Sequence, residues 1–145
     1  MNRRRILTVC YGNICRSPLA AAVLTQLGGD TVEVRSAGIR DKWTGKPAHL
    51  TMAEAAAPHG YDLSRHRARQ VDRDLMHWAD TILAMGASNL AALHELADED
   101  TARRLALYLG DRDVPDPFGQ PGSAFNDCIE MIVAGAARHL QCSGG

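Results

Sequence analysis

Five residues separate Cys10 from Arg16 in the run Cys10-Tyr11-Gly12-Asn13-Ile14-Cys15-Arg16-Ser17. A loop of that length can wrap an oxyanion, with successive backbone N–H groups turned inward and a helix N-terminus behind them. Gly12 and Asn13 tolerate the left-handed backbone that such a nest requires. The Arg16 guanidinium can grip two phosphate oxygens at once. These surroundings also favour the thiolate of Cys10, its nucleophilic form. The chemistry on offer is phosphoryl binding beside a reactive sulfur. Spacing alone is a weak signal, since with four Cys and 14 Arg in 145 residues it arises by chance in about one sequence in three. A buried packing cysteine is the competing reading. What favours chemistry is the context: a strand before, Gly-Asn within, and a helix start after.

Such a loop needs elements to hold it. Ile6–Val9 is a short apolar run rich in β-formers, stopped by Tyr11-Gly12-Asn13, and predicts a buried strand. Ser17 as N-cap and Pro18 at the first helical position predict a helix, which Gly28-Gly29 ends. Thr31–Ser36, Asp80–Met85 and Leu105–Leu109 read as further strands. Leu50–Pro58, Ala87–Leu96 and Ser123–Leu140 read as helices, Ser64–Gln70 as a basic loop, and Gly110–Gly122 as an extended polar loop.

Strands alternating with helices imply parallel pairing. The expected fold is α/β: a single three-layer domain with a four-stranded parallel twisted sheet flanked by helices. Its phosphate-binding loop lies between the first strand and the first helix. Residues 1–142 form the domain and 143–145 a flexible tail. Ligands of such sheets bind beyond the carboxyl ends of the strands, and Cys10 and Asp116 both follow predicted strands.

Composition narrows the partners. Sixteen basic and 17 acidic residues leave a net charge of −1, which argues against a nucleic-acid binder. Arg outnumbers Lys fourteen to two, which keeps anion recognition open, although genome base composition is the favoured source of the bias. Four unevenly placed cysteines do not make a secreted disulfide framework. The apolar run Ile6–Cys10 is far shorter than a signal-peptide core, and no stretch approaches the ~20 apolar residues of a membrane helix. A cytoplasmic, reduced, monomeric protein without membrane contacts is expected.

The chain resembles the low-molecular-weight protein tyrosine phosphatases. Val9 to Pro18 is similar to the family's signature loop almost residue for residue. The similarity continues through Ser36-Ala37-Gly38, Ser64 with His66-Arg67-Ala68-Arg69-Gln70, Ser88-Asn89-Leu90, and Asp113-Val114-Pro115-Asp116-Pro117-Phe118-Gly119. The resemblance implies that Cys10 is the nucleophile, forming a cysteinyl-phosphate, and that Arg16 clamps the phosphoryl oxygens. It makes Asp116 the general acid that protonates the leaving phenolate and then activates water. Tyr11, Gly12, Asn13, Ile14 and Cys15 complete the phosphate cradle. Asn13 and Ser17 order it, and Ser17 hydrogen-bonds the thiolate; His66 supports this network from behind. Cys15 matches a second loop cysteine able to close a reversible disulfide on Cys10, against a plain packing role.

Phe118 stands where the family often has Tyr and is expected to flank an aromatic substrate ring. Trp43 is the candidate opposing wall, although Lys42 occupies the usual aromatic register. Tyr11 narrows the mouth, and Gly86 stands where many members carry an acid. Asp111 and Asp113 read as solvated loop charges, and His49, His59, His77, His94 and His139 as surface or packing residues. No cofactor is implied. Cys10 and Cys15 lack the second Cys/His pair that a zinc site needs.

The expected activity is hydrolysis of phosphotyrosine or other aryl phosphate monoesters. Protein-arginine phosphatases resemble this chain but carry Thr in place of Ile14, and a small phosphorylated metabolite is a further alternative substrate. Arsenate reduction on this fold needs relay cysteines, and residues 16–127 contain none. A phosphate-binding redox module without turnover would have no use for the acid in Asp116-Pro117.

Overall fold

A computed structural model describes residues 3–140; the expected tail at 143–145 and Cys142 lie outside them. Four strands, β1 (Arg4–Cys10), β2 (Val32–Gly38), β3 (Thr81–Ala84) and β4 (Leu105–Leu107), form an all-parallel sheet in the order β2-β1-β3-β4. β1 is longer than its apolar run because all seven of its residues pair with β2, from Arg4 opposite Val32 to Cys10 opposite Gly38. β1 pairs on its other edge with β3. The chain order therefore reverses beside the carboxyl end of β1, the crevice where ligands bind in such sheets.

Alternation along β1 builds the two cores. Ile6 and Cys10 point into a cluster with Leu19, Val23 and Leu24 of α1 (Arg16–Gly28), Met52 of α2 (Leu50–Ala56) and Ile129 of α6 (Gly122–Leu140). Leu7 and Val9 point to the opposite face, among Leu75 and Met76 of α3 (Arg73–Trp78) and Leu93 of α4 (Ala87–Leu96). The result is helix, sheet, helix.

Several local expectations change. α1 begins at Arg16 with Cys15 as N-cap and no side-chain cap, so Ser17 lies inside the first turn and its hydroxyl serves another use. α3 and a short α5 (Glu99–Ala102) were not expected. Each starts at an Asp whose carboxylate accepts a backbone N–H: Asp72 from Leu75 N at 2.7 Å and Asp98 from Thr101 N at 2.9 Å. β4 ends at Leu107, and a 3₁₀ turn over Ala57–His59 replaces the expected end of α2.

Two histidines are neutral parts of this architecture. Burial lowers the affinity of His66 and His139 for protons, against the opposing pull of their backbone partners. Each donates from Nε2 to a carbonyl at 2.6 Å, His66 to Asn13 and His139 to Tyr108. An unfolded chain protonates its histidines near pH 6.5, whereas these rings, when folded, do so only at lower pH. Stability is therefore complete above about pH 6.5 and is lost as pH falls through the folded values. Thermal unfolding should show a lower Tm at pH 5 than at pH 7. A His66→Gln, His139→Gln double variant should flatten that slope; an unchanged slope would refute the assignment.

Candidate active site

The loop between β1 and α1 closes on its own sulfur. Asn13 N–H points at Cys10 Sγ over 3.3 Å, and Ser17 Oγ lies 3.0 Å from it. Which of these two side chains donates follows from the Asn13 amide. Its Oδ1 accepts from Arg69 N at 2.9 Å, so its Nδ2 is the donating end, directed at Ser17 Oγ (2.8 Å) and Ser36 Oγ (2.9 Å). With one lone pair so engaged, the Ser17 hydroxyl has two acceptors within reach of its hydrogen, Cys10 Sγ at 3.0 Å and Ala37 O at 3.3 Å, and the sulfur is the nearer. Asn13 has φ +60°, the left-handed conformation expected of it.

Gly12 does not have a positive φ. Its lack of a side chain matters because a Cβ there would fall 2.3 Å from Trp43 Cε3. Gly38 does the same on the other side: its Cβ would lie 2.8 Å from the Gly12 carbonyl carbon and 2.9 Å from Asn13 N. The loop therefore rests on the end of β2 and carries an indole on its outer surface.

Arg16 is buried, and its guanidinium is held from one side. Nη1 donates to Val114 O at 2.9 Å, while Nε is buried without any partner and Nη2 lies 3.6 Å from Asp116 Oδ2. The Nε/Nη2 edge, with Nε unpartnered and Nη2 only ion-paired to Asp116, is the fork whose geometry matches two phosphoryl oxygens. Val114 N donates to Met85 O at 2.8 Å, so one residue ties the Asp116 segment both to the turn just after β3 and to Arg16. Asp116 is half-exposed, and its Oδ1 accepts from Phe118 N at 3.1 Å in a turn around Pro117.

Cys10, Arg16 and Asp116 line one cavity of about 260 Å³, with Tyr11, Gly12, Ile14, Cys15, Lys42, Trp43 and Phe118. Trp43 and Lys42 both reach it, so the aromatic wall comes from Trp43 despite its register. Trp43 and Phe118 touch each other, with centroids 5.6 Å apart at 54°, within the ~4.5–7 Å of direct aromatic contact. An entering ring must part them or lie beside them. A larger open depression of about 490 Å³ over Ala53–Ser64 contains no Cys, His or Lys.

Other expectations resolve individually. Ser17, Asn13 and His66 hydrogen-bond within the loop network. Burial drives the Cys15 thiol well above the ordinary range, and the side chain packs in the core, so this cysteine stays protonated. Asp113 is not a free solvated charge: Oδ1 accepts from Ala87 N at 2.8 Å at the start of α4. A Cβ on Gly86 would lie 3.0 Å from the other oxygen of Asp113, so that carboxylate occupies the space beside Gly86. His49 is a packing residue, stacked on Phe125 at 5.2 Å and edge-on to Phe118 at 5.5 Å. Gly38, Ser36 and Val114 were missed as site residues. Gly38 and Val114 act through backbone, and only the Ser-Ala-Gly end of β2 hinted at the first two.

Comparison with known proteins gives a consistent result. The family described as "Low molecular weight phosphotyrosine protein phosphatase" matches residues 5–142. A probable low molecular weight protein-tyrosine-phosphatase, EpsP of Ralstonia solanacearum, is 40% identical over 134 residues, covering 91% of this chain and 90% of that protein. The low molecular weight protein-tyrosine-phosphatase of Streptomyces coelicolor is 39% identical over 144 residues, covering 90% and 87%. Among solved structures, Vibrio vulnificus Wzb in complex with benzylphosphonate superposes with a TM-score of 0.89 at 32% identity, covering 96% and 98%.

Proposed function

The chain belongs to the low molecular weight phosphotyrosine protein phosphatase family and is a phosphatase; from that premise we propose that Cys10 is its nucleophile, Arg16 its phosphoryl clamp and Asp116 its general acid and base. The observation that carries the assignment is the convergence of these three side chains on one cavity, with Arg16 Nε buried and unpartnered.

The Cys10 thiolate attacks phosphorus, and the bond from phosphorus to the ester oxygen breaks. Asp116, protonated at this stage, gives its proton to the departing oxygen. A cysteinyl-phosphate remains. Asp116, now a carboxylate, takes a proton from water, whose oxygen attacks phosphorus and releases inorganic phosphate and the Cys10 thiolate. Throughout, inward N–H groups of the loop and the Arg16 fork meet the charge on the phosphoryl oxygens. No metal enters this scheme.

The substrate is a phosphotyrosine-bearing protein. An aryl group suits a mouth walled by Tyr11, Trp43 and Phe118, and the named relatives are protein-tyrosine phosphatases. The domain spans 1–142 and works as a monomer. A reduced cytoplasm suits Cys10, Cys15 and Cys128, which are free thiols. No helix among the described residues is long and apolar enough to cross a membrane.

Rapid mixing with an aryl phosphate should give a burst of phenol stoichiometric with enzyme, followed by slower phosphate release. Asp116→Ala should slow turnover of phenyl phosphate by ~10²–10⁴-fold. The much better leaving group p-nitrophenolate should suffer far less. An equal loss for both esters would remove Asp116 from the role of acid.

A further inference from the structure

The net charge of −1 hides a segregated charge distribution. Two segments beside the cavity, 40–46 and 64–70, carry Arg40, Lys42, Lys46, Arg65, Arg67 and Arg69 against one carboxylate, Asp41. Together they hold a net +5, which leaves −6 on the rest of the chain. The backbone binds the two segments into one surface. Gly45 N donates to Ala68 O and Ala68 N to Lys46 O, both at 2.8 Å. Arg69 N donates to Asn13 Oδ1 in the phosphate loop itself. The turn that carries Trp43 is therefore paired with the Arg-x-Arg-x-Arg run.

All six cations are exposed. The four ion pairs among the described residues use Arg16, Arg35, His77 and Arg103, and none of the six. Two reach the mouth directly: Lys42 Nζ lies 4.8 Å over the Trp43 ring, and the Arg40 guanidinium 6.0 Å over Tyr11. Side chains that merely dissolve a surface would be interspersed with acids. Within the two segments Asp41 alone offsets the six cations, and with Asp62 near Arg65 the surface still keeps an excess of positive charge that an anionic ligand would meet.

We propose that this cationic rim recognises acidic residues flanking the phosphotyrosine, so that the enzyme selects phosphotyrosines in acidic peptide sequence. The inference rests on the assignment of the Cys10 cavity as the active site. Three flanking residues in extended chain reach ~10 Å, close to the ~10 Å over which charges interact at 0.1 M salt. The rim can therefore read the flanks while the phosphoryl group occupies the loop.

Three phosphotyrosyl peptides test this, identical except for Glu, Gln or Lys flanks, with p-nitrophenyl phosphate as a flankless control. At about 0.02 M salt the Glu peptide should exceed the Lys peptide in kcat/KM by about tenfold or more, through KM. The gap should shrink at about 0.5 M salt. An Arg40→Gln, Arg65→Gln, Arg67→Gln variant should erase the preference and keep p-nitrophenyl phosphate turnover, which also shows that it is folded. Equal kcat/KM for Glu and Lys peptides in the wild type, or a preference that survives in the triple variant, would overturn the proposal. So would an oligonucleotide of matched charge that inhibits as strongly as the unphosphorylated Glu peptide. Loss of activity on every substrate after mild oxidation of Cys10 is required by the site assignment; activity that persists would overturn the assignment and this inference together.

Discussion

Cys10→Ser should lower kcat on any aryl phosphate by on the order of 10⁵-fold or more and eliminate the phenol burst. The substitution is nearly isosteric, so the surrounding network can persist: Asn13 N and Ser17 Oγ still face the side chain. What is lost is the ionisable sulfur: a hydroxyl at this position keeps its proton, because Asp116 must itself be protonated to serve the leaving group. Binding should survive the loss of chemistry. Titration calorimetry with inorganic phosphate should give an affinity within a few-fold of wild type, while steady-state turnover falls to background. Substantial activity in Cys10→Ser would remove this residue as nucleophile.

Arg16→Ala should cost ~10³–10⁵-fold in kcat/KM, the scale of a guanidinium that meets transferring phosphoryl charge. Two losses combine. The Nε/Nη2 edge no longer meets the phosphoryl oxygens, and the bond from Nη1 to Val114 O, two residues before Asp116 in sequence, disappears. Arg16→Lys separates them. An ammonium keeps the charge yet cannot hold Val114 O and two phosphoryl oxygens in one plane, so it should recover only a small part of the loss. If the lysine variant were as active as wild type, the fork would have no role beyond its charge.

The anion-binding loop was legible because its parts are consecutive. Cys10, Asn13 and Arg16 share one turn of chain, so their types and spacing carry the geometry directly. Asp116 was legible only through resemblance, since Asp-Pro also makes ordinary turns. The contacts that join these parts were not legible. Arg16 to Val114 O spans 98 positions and ends on a carbonyl that every residue possesses. The close approaches at Gly12 and Gly38 concern missing atoms. Ser17 misled because one residue type serves both as cap and as hydroxyl donor, and the helix starts two residues earlier. Asp113 misled because its partner, Ala87 N, belongs to a helix 26 positions away in sequence. The short α3 offered too few turns for a periodic pattern to register.

The absence of a side chain at Gly12 lets the Trp43 indole lie directly against the loop that holds the nucleophile. The width of the mouth and the shape of the anion cradle are therefore not separable traits in this protein. A lineage that widens the mouth by trimming Trp43 also uncovers the backbone that shapes the anion cradle. One that adds a side chain at position 12 must first displace the wall. Diversification toward new phosphate esters then proceeds by paired replacements on the loop and its cover, and single-step paths through either residue pass through impaired intermediates.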